Sequence, residues 1–145
     1  QANKSRSVAE RAHWVHTVDR AKIARRLSEQ RPDTMPPLNV CIEINIAAEA
    51  NKHGIGADEL LPLAQYIATL PRLRLRGLMC VAKADSTRAE LTQQFTRMQQ
   101  LLTELQTAGL AVDTLSMGMS ADMDTAIACG ATQVRVGSAI FGRRQ

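Results

Sequence analysis

Strand-like and helix-like segments alternate along the whole chain, and no other feature limits its fold as strongly. His13 to Val18 (HWVHTV) reads as a short strand, and Leu38 to Ile46 (LNVCIEINI) as a buried strand of β-branched character. Arg72 to Val81 (RLRLRGLMCV), Val112 to Ser116 and Gln133 to Val136 supply three more. Arg20 to Gln30 has helical periodicity, with Ile23 and Leu27 on one face and Asp19 as its candidate N-cap. Three prolines between residues 31 and 37 forbid regular structure there. Asp58 or a near neighbour caps the next helix, which runs to about Leu70 with Pro62 in its first turn. Thr87 to Ala108 spaces Leu91, Phe95, Met98, Leu102 and Leu105 along one helical side, and Gly109 stops it. Ser120 caps a short helix from Ala121 to Cys129, closed by Gly130.

The resulting order, βαβαβαβαβ, calls for parallel strands joined by helical crossovers. An open doubly wound sheet and a (β/α)8 barrel both satisfy it, although five strands cannot close an eight-stranded barrel. Nothing marks an internal repeat or a linker, and 145 residues suit one domain spanning 1–145.

Composition narrows the functional classes. Aromatic residues are only 3% of the chain, so the core must be built from Leu, Ile, Val, Ala and Met. The net charge is +4, and its densest runs, Arg72-Arg74-Arg76 and Arg143-Arg144, read as solvated surface. A nucleic-acid binder needs a broader basic stripe with stacking aromatics, and only Trp14, Tyr66, Phe95 and Phe141 are present. Cys41, Cys80 and Cys129 are far apart and odd in number, the pattern of reduced thiols in a cytoplasmic protein. No apolar stretch reaches the roughly 20 residues of a membrane span. No signal peptide is visible, and Gln1 is not a natural start. His13 and His16 fall on opposite faces of a strand, which argues against a metal site. Met117, Met119 and Met123 read as core packing. Glu43 and Asp85 are placed near the ligand end of the sheet, but no paired acid/base role follows from one sequence.

Two stretches carry chemistry. Ser116-Met117-Gly118-Met119-Ser120-Ala121-Asp122-Met123 and Val134-Arg135-Val136-Gly137-Ser138 each set glycine and hydroxyl residues just past a strand. In parallel α/β folds ligands gather at the C-terminal ends of strands. Helix N-termini offer free N–H groups to phosphate there, and glycine lets the backbone approach closely. Ser120 alone is more often a plain N-cap, and Gly137 more often a plain turn glycine; two such units in succession bring the phosphate reading level with these. Arg135 lies inside an apolar strand, where a charge must be paired, either as a structural ion pair or as a fixed cation for a ligand.

The string Leu115-Ser116-Met117-Gly118-Met119-Ser120-Ala121-Asp122-Met123 resembles the LSMGMSxDM signature of the YggS/PROSC family of pyridoxal 5′-phosphate (PLP) homeostasis proteins. Arg135-Val136-Gly137-Ser138-Ala139-Ile140-Phe141-Gly142 resembles that family's RxGxxIFG close. Gln1-Ala2-Asn3-Lys4, Glu43-Ile44-Asn45 with Lys52-His53-Gly54, and Leu75-Arg76-Gly77-Leu78-Met79 are similar to its other motifs, in the same order. The resemblance implies a (β/α)8 barrel of the alanine racemase N-terminal type, of which about strands 4–8 lie in this chain. It implies PLP as cofactor, held covalently only in the full-length protein by a lysine upstream of these motifs. Lys4, Lys22, Lys52 and Lys83 do not lie in that lysine motif; Lys52 and Lys83 fall in loops after strands, and Lys83, past a strand end, is a weak candidate for a surrogate amine, since nothing in the sequence assures the lowered pKa a Schiff-base lysine needs. By the resemblance Ser120, Gly137 and Ser138 hold the phosphate, Ser116 lies close by, Arg135 approaches the pyridine nitrogen, and Met79 packs on the ring unless it is core filler.

An arginine facing that nitrogen stays protonated, so the nitrogen accepts a hydrogen bond and the ring becomes a poorer electron sink. That suits a carrier or regulator of PLP without robust turnover. The alternative is a PLP-dependent racemase, which would add a second domain bearing a catalytic tyrosine. The remainder of the barrel is expected from the same or another chain, because open edges invite aggregation. A monomer is expected at full length, with neither nucleic acid nor membrane as partner.

Overall fold

The structure is a computed structural model that describes residues 2–50 and 53–135. Helix α1 (Ala2–Arg11) leads into β1 (Trp14–Val18), α2 (Ala21–Gln30), β2 (Leu38–Glu43), α3 (Ala57–Ala68), β3 (Leu73–Met79), α4 (Arg88–Thr107), β4 (Thr114–Ser116) and α5 (Met123–Ala128). The expected alternation is present, with a helix ahead of the first strand. The expected fifth strand is represented, among the described residues, by one parallel bridge between Ser116 and Gln133.

All strand pairs are parallel and the order is β1-β2-β3-β4. A sheet that grows in one direction has no switch point, so right-handed crossovers place every helix on the same face. A doubly wound sheet reverses direction and is covered on both faces. The order therefore decides between the two architectures in favour of the singly wound one.

Burial follows from that geometry. Leu38, Val40, Ile42 and Ile44 of the β2 segment, Leu75 and Leu78 of β3, and Leu115 of β4 join Leu27, Leu60, Ile67, Phe95, Met98 and Leu101 of the helices in one apolar cluster. Cys41 and Met79 are also buried but lie outside that cluster, on the face turned away from the helices. Side chains alternate across a strand, so this second face carries Trp14 and His16, Asn39, Cys41 and Glu43, Met79, Thr114 and Ser116. His16 stacks on Trp14, with ring centroids 5.6 Å apart, as positions i and i+2 of a strand allow, and the alternation breaks only at the register shift between Val15 and Val18.

Gly77 shows why β3 needs a glycine. A Cβ there would fall on the Thr114 carbonyl oxygen, 2.7 Å from its carbon and 2.9 Å from Thr114 N. Only a residue without a side chain lets β3 and β4 approach this closely beside the register shift at Val40 and Cys41.

Several helix starts differ from the sequence reading. Helix α2 is capped at Arg20 without a side-chain bond, because the Asp19 carboxylate instead accepts from Gly54 N–H at 3.1 Å. Helix α3 is capped at Gly56, so Asp58 and Glu59 lie within its first turn and Pro62 lies deeper inside. Helix α4 begins with a full capping box: Thr87 Oγ1 accepts from Glu90 N–H, and the Glu90 carboxylate accepts from Thr87 N–H. Those bonds hold the Glu90 carboxyl below its ordinary range.

Arg31 closes the N-terminal end of the layer. It is only 2% exposed. Its Nη1 donates to the carbonyls of Ala9 (3.0 Å) and Ala12 (2.6 Å), and Nε and Nη2 both donate to that of Pro36 (3.0 and 2.8 Å). One guanidinium thereby satisfies carbonyls at the end of α1, which have no helical partner of their own, and fixes the proline loop.

Candidate functional site

At the C-terminal ends of the strands the second face carries a row of candidate side chains. Glu43 is the register partner of Met79, and Met79 of Ser116. Ser116 bridges to Gln133, two residues before Arg135. Arg135 donates its backbone N–H to the Gly118 carbonyl at 2.9 Å, and its Nη2 reaches across the tip of β4 to the Cys80 carbonyl at 3.3 Å. Met79, Ser116 and Arg135 are thus brought together. Ser116 and Met79 are 2% and 3% exposed, so they floor this end of the sheet, while Arg135 is partly exposed above them.

The turn after β4 is built around Gly118, whose φ of +101° is left-handed. A Cβ there would also come within 2.6 Å of Ala126 Cβ. The turn is closed by Asp122, whose Oδ1 accepts from Met119 N–H at 2.6 Å while its own N–H donates to the Met119 carbonyl. Helix α5 starts only at Met123, with Asp122 at the N-cap position. The expectation that Ser120 caps this helix is therefore corrected. Asp122 organises the turn, and Ser120 stands exposed two residues earlier. The helix has six residues, so any anion held here depends on the loop's own amides and hydroxyl rather than on a long helix dipole. Gly137 and Ser138 lie outside the described residues.

Two carboxylates and a buried thiol stand at this end of the sheet, where the sequence reading assigned Glu43 no paired acid/base role and made Asp19 an N-cap. Glu43, at the tip of β2, is half-buried. Burial, and then the neighbouring Asp19 carboxylate, push its carboxyl above the usual range, while His53 and Arg135 pull it back. Asp19 is pinned by Gly54 N–H and lies 3.9 Å from Arg20 Nε. Burial likewise pushes the Cys80 thiol up to about 12, with Arg135 opposing. Of the other candidates, Asp85 is exposed on the loop before α4. Lys4, Lys22 and Lys83 are exposed, and Lys52 lies outside the described residues. Among the described residues, no group of three or more His, Cys, Asp or Glu is arranged to hold a metal ion. None of the described helices is long and apolar enough to cross a membrane.

The model of the alanine racemase N-terminal domain matches residues 2–145. The chain belongs to the alanine racemase N-terminal domain family. Within this family it is 51% identical over 144 residues to the pyridoxal phosphate homeostasis protein of Pseudomonas aeruginosa, covering 99% of this chain and 61% of that one. The protein of that name from Escherichia coli K12 is 52% identical over 147 residues, with 99% and 62% covered. The chain therefore spans about three fifths of the length of the curated relatives it matches. PipY of Synechococcus elongatus, solved without PLP, superposes with a TM-score of 0.88 at 33% identity, covering 98% of this chain and 67% of that one. PipY with PLP bound superposes at 0.86 and 32% identity, covering 98% and 66%. The resemblance read from the motifs is borne out, as is the alanine racemase N-terminal fold with its parallel sheet.

Proposed function

We propose that this chain supplies strands four to eight of a (β/α)8 barrel that binds PLP, and that the whole protein serves PLP homeostasis as a carrier or regulator rather than as an enzyme of robust turnover. The observation that carries the reading is the meeting of Met79, Ser116, the Gly118 turn and Arg135 at one end of the sheet. The singly wound order is that of a barrel wall, and its second face, floored by buried Met79 and Ser116, is the barrel interior. The curated relatives are named for PLP homeostasis, and PipY has been solved with PLP.

The residues present fit that group. The Gly118 turn is tightened by its left-handed glycine and by Asp122, and it offers Ser120 at the rim for a phosphate. Gly137 and Ser138 would complete the phosphate contacts, with Ser116 close by. The Arg135 guanidinium, steadied by the Cys80 carbonyl, would donate to the pyridine nitrogen. Met79 would pack on the ring face. PLP itself supplies an aldehyde for amine chemistry and an electron-withdrawing ring. An obligate cation at the ring nitrogen keeps that nitrogen unprotonated and moderates the withdrawal, which suits holding PLP more than turning it over. The whole chain, 1–145, acts as one unit of this barrel. Its reduced thiols suit a cytoplasmic protein, the full-length form is a monomer, and neither nucleic acid nor membrane is its partner.

The test is spectroscopic. Full-length protein loaded with PLP is expected to show the visible absorbance of lysine-bound cofactor, removed by borohydride, together with no sustained alanine racemisation. This chain alone is expected to show no such band. Rapid racemisation, or a full-length protein that takes up no PLP, would overturn the proposal.

A further inference from the structure

Three large apolar side chains stand exposed among the described residues. Leu61 and Ile127 lie on helices α3 and α5, whereas Val81, 49% exposed, follows the tip of β3 at the ligand end of the sheet. The path of the chain there decides which way Val81 faces. Pairing with β4 runs one residue past the end of β3, because Cys80 N–H donates to the Ser116 carbonyl at 3.1 Å. Cys80 and Ala82 pack into the apolar cluster under the helices, and Met79 lies on the second face. Side chains alternate along extended backbone, so Val81 falls on the face of Met79, one step nearer the mouth. Its backbone is held on both sides. The Cys80 carbonyl, joined to Val81 by the peptide bond, accepts from Arg135 Nη2 at 3.3 Å. Beyond it, Lys83 N–H donates to Gln94 Oε1 at 2.9 Å. The Ser86 hydroxyl donates to the Lys83 carbonyl at 2.6 Å and accepts from Gln94 Nε2 at 3.0 Å, which closes the loop onto α4.

The chemistry of PLP decides what meets an apolar side chain placed there. One carbon beside the ring nitrogen bears a methyl group. The other bears hydrogen and adjoins the carbon that carries the phosphate arm. The methyl edge and the phosphate edge therefore lie on opposite sides of the ring nitrogen. With that nitrogen at Arg135 and the phosphate at the turn after β4, the methyl edge faces back toward β3, the neighbour of β4 in the sheet. We propose that Val81 is a specificity-determining residue, its side chain forming the apolar wall that receives the ring methyl group of the cofactor. This rests on the reading of the site as a PLP pocket.

The experiment measures the dissociation constants of the full-length protein for PLP and for norpyridoxal phosphate, the analogue without the methyl group, in the unmodified chain, Val81→Ala and Val81→Thr. Aldehyde, ring nitrogen and phosphate are the same in both cofactors, so lysine attachment and the contacts of Arg135 and the Gly118 turn divide out. The unmodified protein is expected to prefer PLP over the analogue about 3- to 5-fold, the effect of burying one methyl group. Val81→Ala is expected to weaken PLP by about that factor and to leave affinity for the analogue unchanged, so that the preference disappears. Val81→Thr keeps the branched shape but turns one methyl into a hydroxyl, and is expected to fall between the two. Thermal melts confirm that each variant is folded. Equal losses for both cofactors, as a displaced loop would produce, would overturn the role of Val81 while leaving the pocket intact. So would a preference that survives in Val81→Ala or is absent from the unmodified protein. An unmodified protein that binds neither cofactor would overturn the pocket and this role together.

Discussion

Replacing Arg31 by methionine tests a buried side chain that makes four hydrogen bonds. Methionine keeps much of the apolar stem and removes every donor. Four N–H···O contacts to three carbonyls disappear. The Pro36 carbonyl, on the loop, can be rehydrated. The Ala9 and Ala12 carbonyls end α1, and Ala9 is fully buried. Each acceptor left without a partner costs about 1–3 kcal/mol. The cation at the C-terminal end of the helix dipole is worth about another 0.3–1 kcal/mol. The sum is about 2–7 kcal/mol, a large share of the roughly 5–15 kcal/mol that stabilises a domain. Urea unfolding followed by circular dichroism should show this loss with an unchanged slope, and the melting temperature should fall by roughly 6–20 °C. Arg31→Lys should recover less than half, since an ammonium cannot reproduce the fork. A loss below about 1 kcal/mol for Arg31→Met would refute the claim that these carbonyls depend on the guanidinium.

Other outcomes follow from the same contacts. Gly77→Ala drives a methyl into the Thr114 carbonyl and should cost about 3 kcal/mol by thermal unfolding, whereas a neutral result would mean that β3 and β4 can separate freely. Glu43 has a folded-state pKa above its unfolded value, so its protonated form is the one favoured by folding. That contribution is present below the ordinary glutamate pKa and lost as pH rises through the raised value. Glu43→Gln should therefore be more stable than the unmodified chain at neutral pH, with the advantage fading in acid, as followed by melting temperature against pH. Cys41 and Cys80 are fully buried and their thiols are pushed up to about 12. Partly exposed Cys129 alone should react quickly with a thiol reagent in the native chain, as counted by mass spectrometry.

The period of the apolar residues made the strands, the long α4 helix and the βα alternation legible. Each depends on repeated local patterning that the tertiary structure reinforces. The Gly118 turn and Arg135 were legible for another reason: a left-handed glycine and a charge inside an apolar strand are each costly unless something specific requires them. What stayed hidden depends on contacts between distant segments. Asp19 looks like an N-cap, but Gly54, 35 residues away, takes its carboxylate. Arg31 sits in a proline loop and gives no sign that α1 ends against it. Ser120 has the right chemistry for an N-cap, yet Asp122 two residues on carries the turn. The Cys80 carbonyl gives no sign of Arg135, 55 residues later, because parallel strands bring their tips together only through the crossovers between them.

If the ends of the last strands receive PLP, its phosphate lies at the Gly118 turn and its ring nitrogen at Arg135, as a crystal structure of the full-length protein grown with PLP would show. Phosphate oxygens are expected within hydrogen-bond reach of Ser120 and of the Gly137–Ser138 segment, and the Arg135 guanidinium against the ring nitrogen. Cofactor density elsewhere in the molecule, or a ring nitrogen facing a carboxylate with Arg135 turned away, would contradict it.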